Sequence, residues 1–207
     1  MTASDNKPAP NNSRAPLWLL IGCAAFLALA AAGITLLNRE SPNAPAPVAI
    51  GGPFVLETGD NQKVSDQDLR GAPFLVFFGY THCPDVCPTT LFQISEILRA
   101  LGPDAKIKAL FVTVDPERDT PQLMRDYASS FDPRVIGLSG DRDAIDRMER
   151  AYRVYARKAP AKTGDYAMDH SALIYLMDRD GKFLRPFNVE RPLEQAAAEL
   201  KAVLAAQ

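Results

Sequence analysis

His82-Cys83-Pro84-Asp85-Val86-Cys87-Pro88 sets two thiols three residues apart, in a chain with only three cysteines and two histidines. If the segment is helical, the two sulfurs lie one turn apart on the same face. In a tight loop they also meet. Such a pair can close to a disulfide, exchange with another disulfide, or hold a soft metal ion, Cu(I) before zinc. Two sulfurs rarely complete a metal site alone. The imidazole donors on offer are His82, beside Cys83, and His170, which a loop over 161–168 could carry to the cysteines. A set of Cys83, Cys87 and His170 would hold Cu(I) and tolerate Cu(II) through the nitrogen. A structural disulfide and a dithiol redox pair stand beside that reading on spacing alone. Asp115 and Asp169 near the same sheet edge are candidates to orient the ligands, or else cap and turn residues. Met124, Met148 and Met168 read as core filler.

The elements that would position these groups alternate strand and helix. Pro73 to Tyr80 is a continuous apolar run, the pattern of a strand covered on both faces. A helix follows over 88–101, ended by Gly102-Pro103. Strands are predicted over 107–114 and 135–138, with Thr120-Pro121 opening one helix and Asp141 capping another. Strands over 172–177 and 182–187 flank Asp178-Arg179-Asp180-Gly181, a hairpin signal. A terminal helix spans 192–205, and residues 54–56 with 63–64 form a small leading hairpin. Arg147 to Arg157 reads as a solvated helix face. The order predicts a three-layer α/β sandwich with the thiols at the carboxyl end of a strand, where sites in such sheets collect.

Four segments follow from the composition shifts: a polar tail 1–16, a membrane anchor 17–37, a Pro-rich linker 38–47 and a globular domain 48–207. The uncharged run 17–37 would be about 31 Å long as a helix, enough for a hydrocarbon core of about 30 Å. Lys7 and Arg14 before it, against Arg39 after it, place the tail in the cytoplasm and the domain outside. Ala28-Leu29-Ala30 as a signal-peptidase site, and Leu20-Ile21-Gly22-Cys23 as a lipoprotein box, are the competing readings. With 23 basic against 25 acidic residues, the net charge of −2 speaks against a nucleic-acid partner.

Phe78-Gly79-Tyr80-Thr81-His82-Cys83-Pro84-Asp85-Val86-Cys87-Pro88-Thr89-Thr90-Leu91 closely resembles the signature of the Sco/SenC proteins. Val114 to Pro121 and Asp169-His170-Ser171 match further blocks in order. The resemblance implies a thioredoxin-like fold, with copper bound by Cys83, Cys87 and His170. It implies delivery to the binuclear copper centre of cytochrome c oxidase subunit II, with other periplasmic copper carriers and thiol reductants as further partners. It also implies thiol-disulfide chemistry, with Cys83–Cys87 as the disulfide when oxidised and as the redox pair of an oxidoreductase or sensor. His82 matches the pattern without being a ligand in it. The setting implied is a bacterial cytoplasmic membrane, with the domain facing the periplasm or exterior. A peroxidase of the peroxiredoxin kind and a purely structural disulfide domain remain the other readings.

Overall fold

The computed structural model describes residues 15–37, 49–161 and 165–206, with side chains of the first segment described at 21–34. Most of the predicted tail and all of the linker, with Lys7, Arg14 and Arg39, lie outside the described residues. The chain divides into two units at Val48/Ala49, each described by itself.

In the first unit, α1 runs over Ala15–Leu37. Phe26, Leu27, Leu29 and Ile34 are exposed on it. Counting only described residues, no helix is long and apolar enough to cross a membrane.

The second unit is built on a five-stranded sheet. Its strands are β3 (Phe74–Gly79), β4 (Lys108–Thr113), β5 (Val135–Leu138), β8 (Ile174–Met177) and β9 (Phe183–Pro186), ordered β5-β4-β3-β8-β9. β3 is buried at every position, as a central strand with both faces covered must be. It pairs in parallel with β4 and antiparallel with β8. Phe77 and Phe78 point to opposite faces. Phe77 stacks on Phe111, which reaches Tyr127 of α3 (Pro121–Ala128). Phe78 meets Tyr152 of α4 (Arg142–Tyr152) and Tyr175 of β8. The two helices therefore cover different faces. α2 (Val86–Leu101) packs against α5 (Leu193–Ala205). A hairpin of β1 (Val55–Thr58) and β2 (Gln62–Ser65) leads the domain.

The expected caps form. Thr120 accepts from the Leu123 amide at 3.2 Å, and Asp141 from that of Ala144 at 2.7 Å.

Four expectations change. α2 begins at Val86 rather than Pro88, so Cys87 lies inside the helix. α4 ends at Tyr152, where Arg153 turns left-handed at φ 58°, so the charged stretch 153–157 is not a helix face. The segment that follows forms a second hairpin, β6 (Ala156–Pro160) with β7 (Tyr166–His170), so 166–168 is strand rather than loop. His170 therefore ends β7 instead of opening β8. Exposed Arg157 and Lys158 are adjacent in β6, so the strand shows no alternation of apolar and polar residues to reveal a period of two.

Register fixes what meets at the sheet edge. Gly79 of β3 pairs with Thr113 of β4, and Phe77 pairs with Ile174 of β8. The loops after β3 and β4 and the turn before β8 thus share one edge. These carry the cysteines, Asp115 to Asp119, and the exit from His170.

Candidate metal centre

The cysteines straddle the start of α2. Cys83 is half-buried and Cys87 fully buried, and both are free thiols. The first amides of a helix lack intrahelical acceptors. Asp85, at the cap position, makes no capping bond. Cys83 Sγ takes that place, accepting from the Cys87 amide at 3.3 Å. Cys83 is held from behind by its own amide, which donates to the Tyr80 carbonyl at 3.3 Å. Burial pushes the Cys87 thiol well above its ordinary value, against a backbone hydrogen bond from Tyr80. Cys87 fits beneath the strand only because residue 79 is glycine. A Cβ there would lie 2.8 Å from Cys87 Sγ and 2.7 Å from Phe111 Cε2.

Beneath the loop sits Asp119, fully buried. Its carboxylate accepts from the Thr81 amide at 3.0 Å, the Thr81 hydroxyl at 2.5 Å and the Thr113 hydroxyl at 2.7 Å. It ties the loop of β3 to the end of β4. Sequence reasoning missed this role, because an aspartate in a charged Asp-Pro-Glu-Arg-Asp run reads as a turn residue. The available signal was the pair of threonines, one ending β4 and one just after β3.

His170 ends β7. Its Nδ1 lies 3.0 Å from the Ser171 carbonyl, which can only accept, so Nδ1 is the donor there. Its ring stands edge-on to Tyr80, centroids 5.8 Å apart. Tyr80 is buried and is the residue that touches both halves of the site. Burial raises its phenol above the usual value. His82 is exposed, with Nδ1 3.0 Å from the Thr81 hydroxyl and 3.9 Å from Asp119.

The structure brings Cys83 and Cys87 together and sets the His170 ring against that of Tyr80, the residue whose carbonyl accepts from the Cys83 amide. Among the described residues, no three His, Cys, Asp or Glu side chains converge closely enough to hold a metal ion. Asp115 is buried and serves Arg118 and Tyr166, accepting at 2.5 Å and 2.9 Å. Asp169 is exposed and lies 3.8 Å from exposed Arg157. Met124 and Met148 are fully buried, as core filler should be.

Residues 42–205 match the SCO1/SenC family. The chain is 62% identical to Bradyrhizobium japonicum ScoI, solved with copper bound. That match has a TM-score of 0.72 and covers 75% of this chain and all of the other. It is 38% identical over 170 residues to the human mitochondrial SCO1 homologue, covering 79% of this chain and 56% of that protein. The chain thus spans little more than half the length of that curated relative. BsSco, described as a member of the Sco family of cytochrome c oxidase assembly proteins with a disulfide switch, shares the fold at a TM-score of 0.61. That match is at 22% identity and covers 78% of this chain and 97% of the other. The mixed α/β architecture is the thioredoxin-like fold of these proteins.

Proposed function

The chain belongs to the SCO1/SenC family, and from that membership we propose that it is a membrane-anchored copper metallochaperone. Copper is its cargo, held by Cys83, Cys87 and His170 and handed to the binuclear copper site of cytochrome c oxidase subunit II. The observation that carries this reading is the joint at Tyr80. The Cys83 amide donates to the Tyr80 carbonyl and the His170 ring packs against the Tyr80 ring, so that two free thiols and an imidazole are gathered around one residue. The donor set suits the cargo. Thiolates favour Cu(I), and an added imidazole accommodates Cu(II). The copper-bound relative from Bradyrhizobium supports the choice of metal.

Loading begins with the reduced pair. A disulfide has no thiolate to offer, so a reductant must open it first. Half-buried Cys83 meets the incoming ion, and buried Cys87 becomes the second ligand as its proton leaves. His170 then adds from β7, which requires the hairpin end and the cysteine loop to approach. Release to a partner site runs in reverse, ligand by ligand, with His170 and Cys83 yielding to the partner's donors. The exposed apolar positions on α1 support the anchor, and the tail at 1–16 and linker at 38–47 complete the arrangement. The domain then faces the periplasm or exterior of a bacterial cell.

The asymmetry of the thiols also supports a second reading, a thiol-disulfide oxidoreductase. Cys83 thiolate would attack a partner's disulfide and form a mixed disulfide. Cys87 would then displace the partner's sulfur, forming Cys83–Cys87 and leaving the partner reduced by two electrons. The two readings separate on one titration of the reduced full chain in micelles. The chaperone reading expects one tight Cu(I) per chain, lost in Cys83→Ser and Cys87→Ser. It also expects a Cu(II) thiolate charge-transfer band that His170→Ala abolishes. Since burial keeps Cys87 protonated at neutral pH, copper must displace that proton. Apparent Cu(I) affinity is therefore expected to rise by about tenfold or more per pH unit between pH 6 and 8. No copper uptake, with a disulfide that cycles whether or not His170 is present, favours the oxidoreductase.

A further inference from the structure

We propose that Arg118 is the positioning residue that moors the β6–β7 hairpin to the sheet edge, and so sets where His170 stands relative to the cysteine pair. The consequence for copper rests on the chaperone reading above; the mooring itself does not.

The hairpin needs a mooring. β6 and β7 pair only with each other, as a two-stranded sheet separate from the five-stranded one. A lone hairpin is marginal in water, so side chains must hold it. Arg118 lies in the loop after β4 and supplies several of these contacts, beside a hydrogen bond between Tyr80 and the Met168 backbone and the packing of Ala156 and Met168 on the core. Its Nη1 donates to the Tyr166 carbonyl at 3.0 Å, and its Nε to Asp115 Oδ2 at 2.5 Å. Its guanidinium lies 3.7 Å from the centroid of the Tyr166 ring and 5.8 Å from that of Tyr80. The Tyr166 hydroxyl closes the loop, donating to Asp115 Oδ1 at 2.9 Å. Lys158 of β6 adds a second cation 4.5 Å from the Tyr166 centroid and pairs with Glu117 at 2.5 Å.

Arg118 and His170 therefore meet at the same residue. Tyr80 receives the guanidinium and the edge of the imidazole, while Tyr166 and His170 are the two ends of β7. A strand of that length is stiff, with about 13 Å between its ends. Fixing Tyr166 at one end fixes the line along which His170 lies. Burial works against the Arg118 charge, but the hydrogen bond and charge of Asp115 outweigh it and hold the cation. Its Nη2 is buried with no hydrogen-bond partner among the described residues. The guanidinium is thus oriented for Asp115, Tyr166 and the two rings rather than for all five of its donors. Lysine keeps the charge but neither the fork nor the flat stacking surface.

The test uses the reduced, metal-free full chain in micelles, followed by hydrogen exchange and NMR. Arg118→Ala is expected to speed amide exchange in β6 and β7 by about tenfold or more. Exchange in β3 and β4 should stay the same, and the cross-peak between the His170 and Tyr80 rings should vanish. Arg118→Lys should fail to restore that cross-peak. Tyr166→Leu, at the half-buried hairpin, should give the same local loosening and serves if Arg118→Ala does not fold. With aqueous Cu(II) as probe, both variants should bind about 10- to 100-fold more weakly and lose nitrogen hyperfine structure in the EPR spectrum. Cu(I) stoichiometry should hold. Unchanged hairpin exchange overturns the proposal, as does acceleration spread evenly over the domain. A loosened hairpin with unaltered Cu(II) spectra and affinity also overturns it. If the wild-type chain takes no copper, the chaperone reading fails, while exchange and the ring cross-peak still decide the mooring.

Discussion

Asp119 shows how much of the site depends on a residue that touches no copper ligand. It is a fully buried carboxylate with three donors aimed at it, two from Thr81 and one from Thr113. Burying a charge is costly unless it is hydrogen-bonded, and here it is. Asp119→Ala removes at once the acceptor of a half-buried amide and of two hydroxyls. The expected loss is about 3 kcal/mol of stability, measured by denaturant unfolding at constant m-value. Cu(I) affinity should fall as well, because Thr81 leads directly into His82 and Cys83. A variant as stable as wild type would show that the cysteine loop is held from elsewhere. The two thiols and His170 stood out in the sequence as candidate groups, and it was the family resemblance that joined them into one set. Asp119 was not, because exposed and buried aspartates look alike in a charged turn sequence. Only the fold puts this one under the loop.

Among the elements, β3 and α2 meet at a contact that tolerates no side chain. A Cβ on Gly79 would run into both Cys87 Sγ and Phe111. Gly79→Ala is expected to cost about 1–3 kcal/mol, the range for overpacking a filled core. It should also displace Cys87 and weaken Cu(I) binding, read in parallel by thermal melting and by titration. Normal stability and normal copper uptake would mean that the helix shifts at no cost. The core strands were plain in the sequence because β3, β4 and β8 are nearly unbroken apolar runs with turns between them. The β6–β7 hairpin was hidden for the opposite reason. Its strand β6 reads Ala-Arg-Lys-Ala-Pro, and no position in it is fully buried. The guanidinium and carboxylate that reach it come from a loop some fifty residues away in sequence, and no local pattern can encode that. The same gap moved His170 from the start of one strand to the end of another.

Over the whole molecule, the domain from Ala49 onward carries its own core and both halves of the candidate centre. The sheet gathers the cysteine loop, the Asp115 to Asp119 loop and the exit from His170 along one edge. Residues 17–37 are proposed to tether that domain to a membrane. The full chain is expected to fractionate with membranes and to resist a high-salt wash, whereas deletion of residues 1–37 should release a domain that still takes up copper. A full chain recovered in the soluble fraction would contradict the anchor without touching the site. The central claim is that Cys83, Cys87 and His170 together hold the ion, although among the described residues no three such side chains converge in the metal-free chain. X-ray absorption on the Cu(I)-loaded chain, beside His170→Ala, tests it most directly. Two sulfur ligands and one nitrogen ligand, falling to sulfur alone in the variant, is the expected result. A first shell that is the same with and without His170 would contradict it.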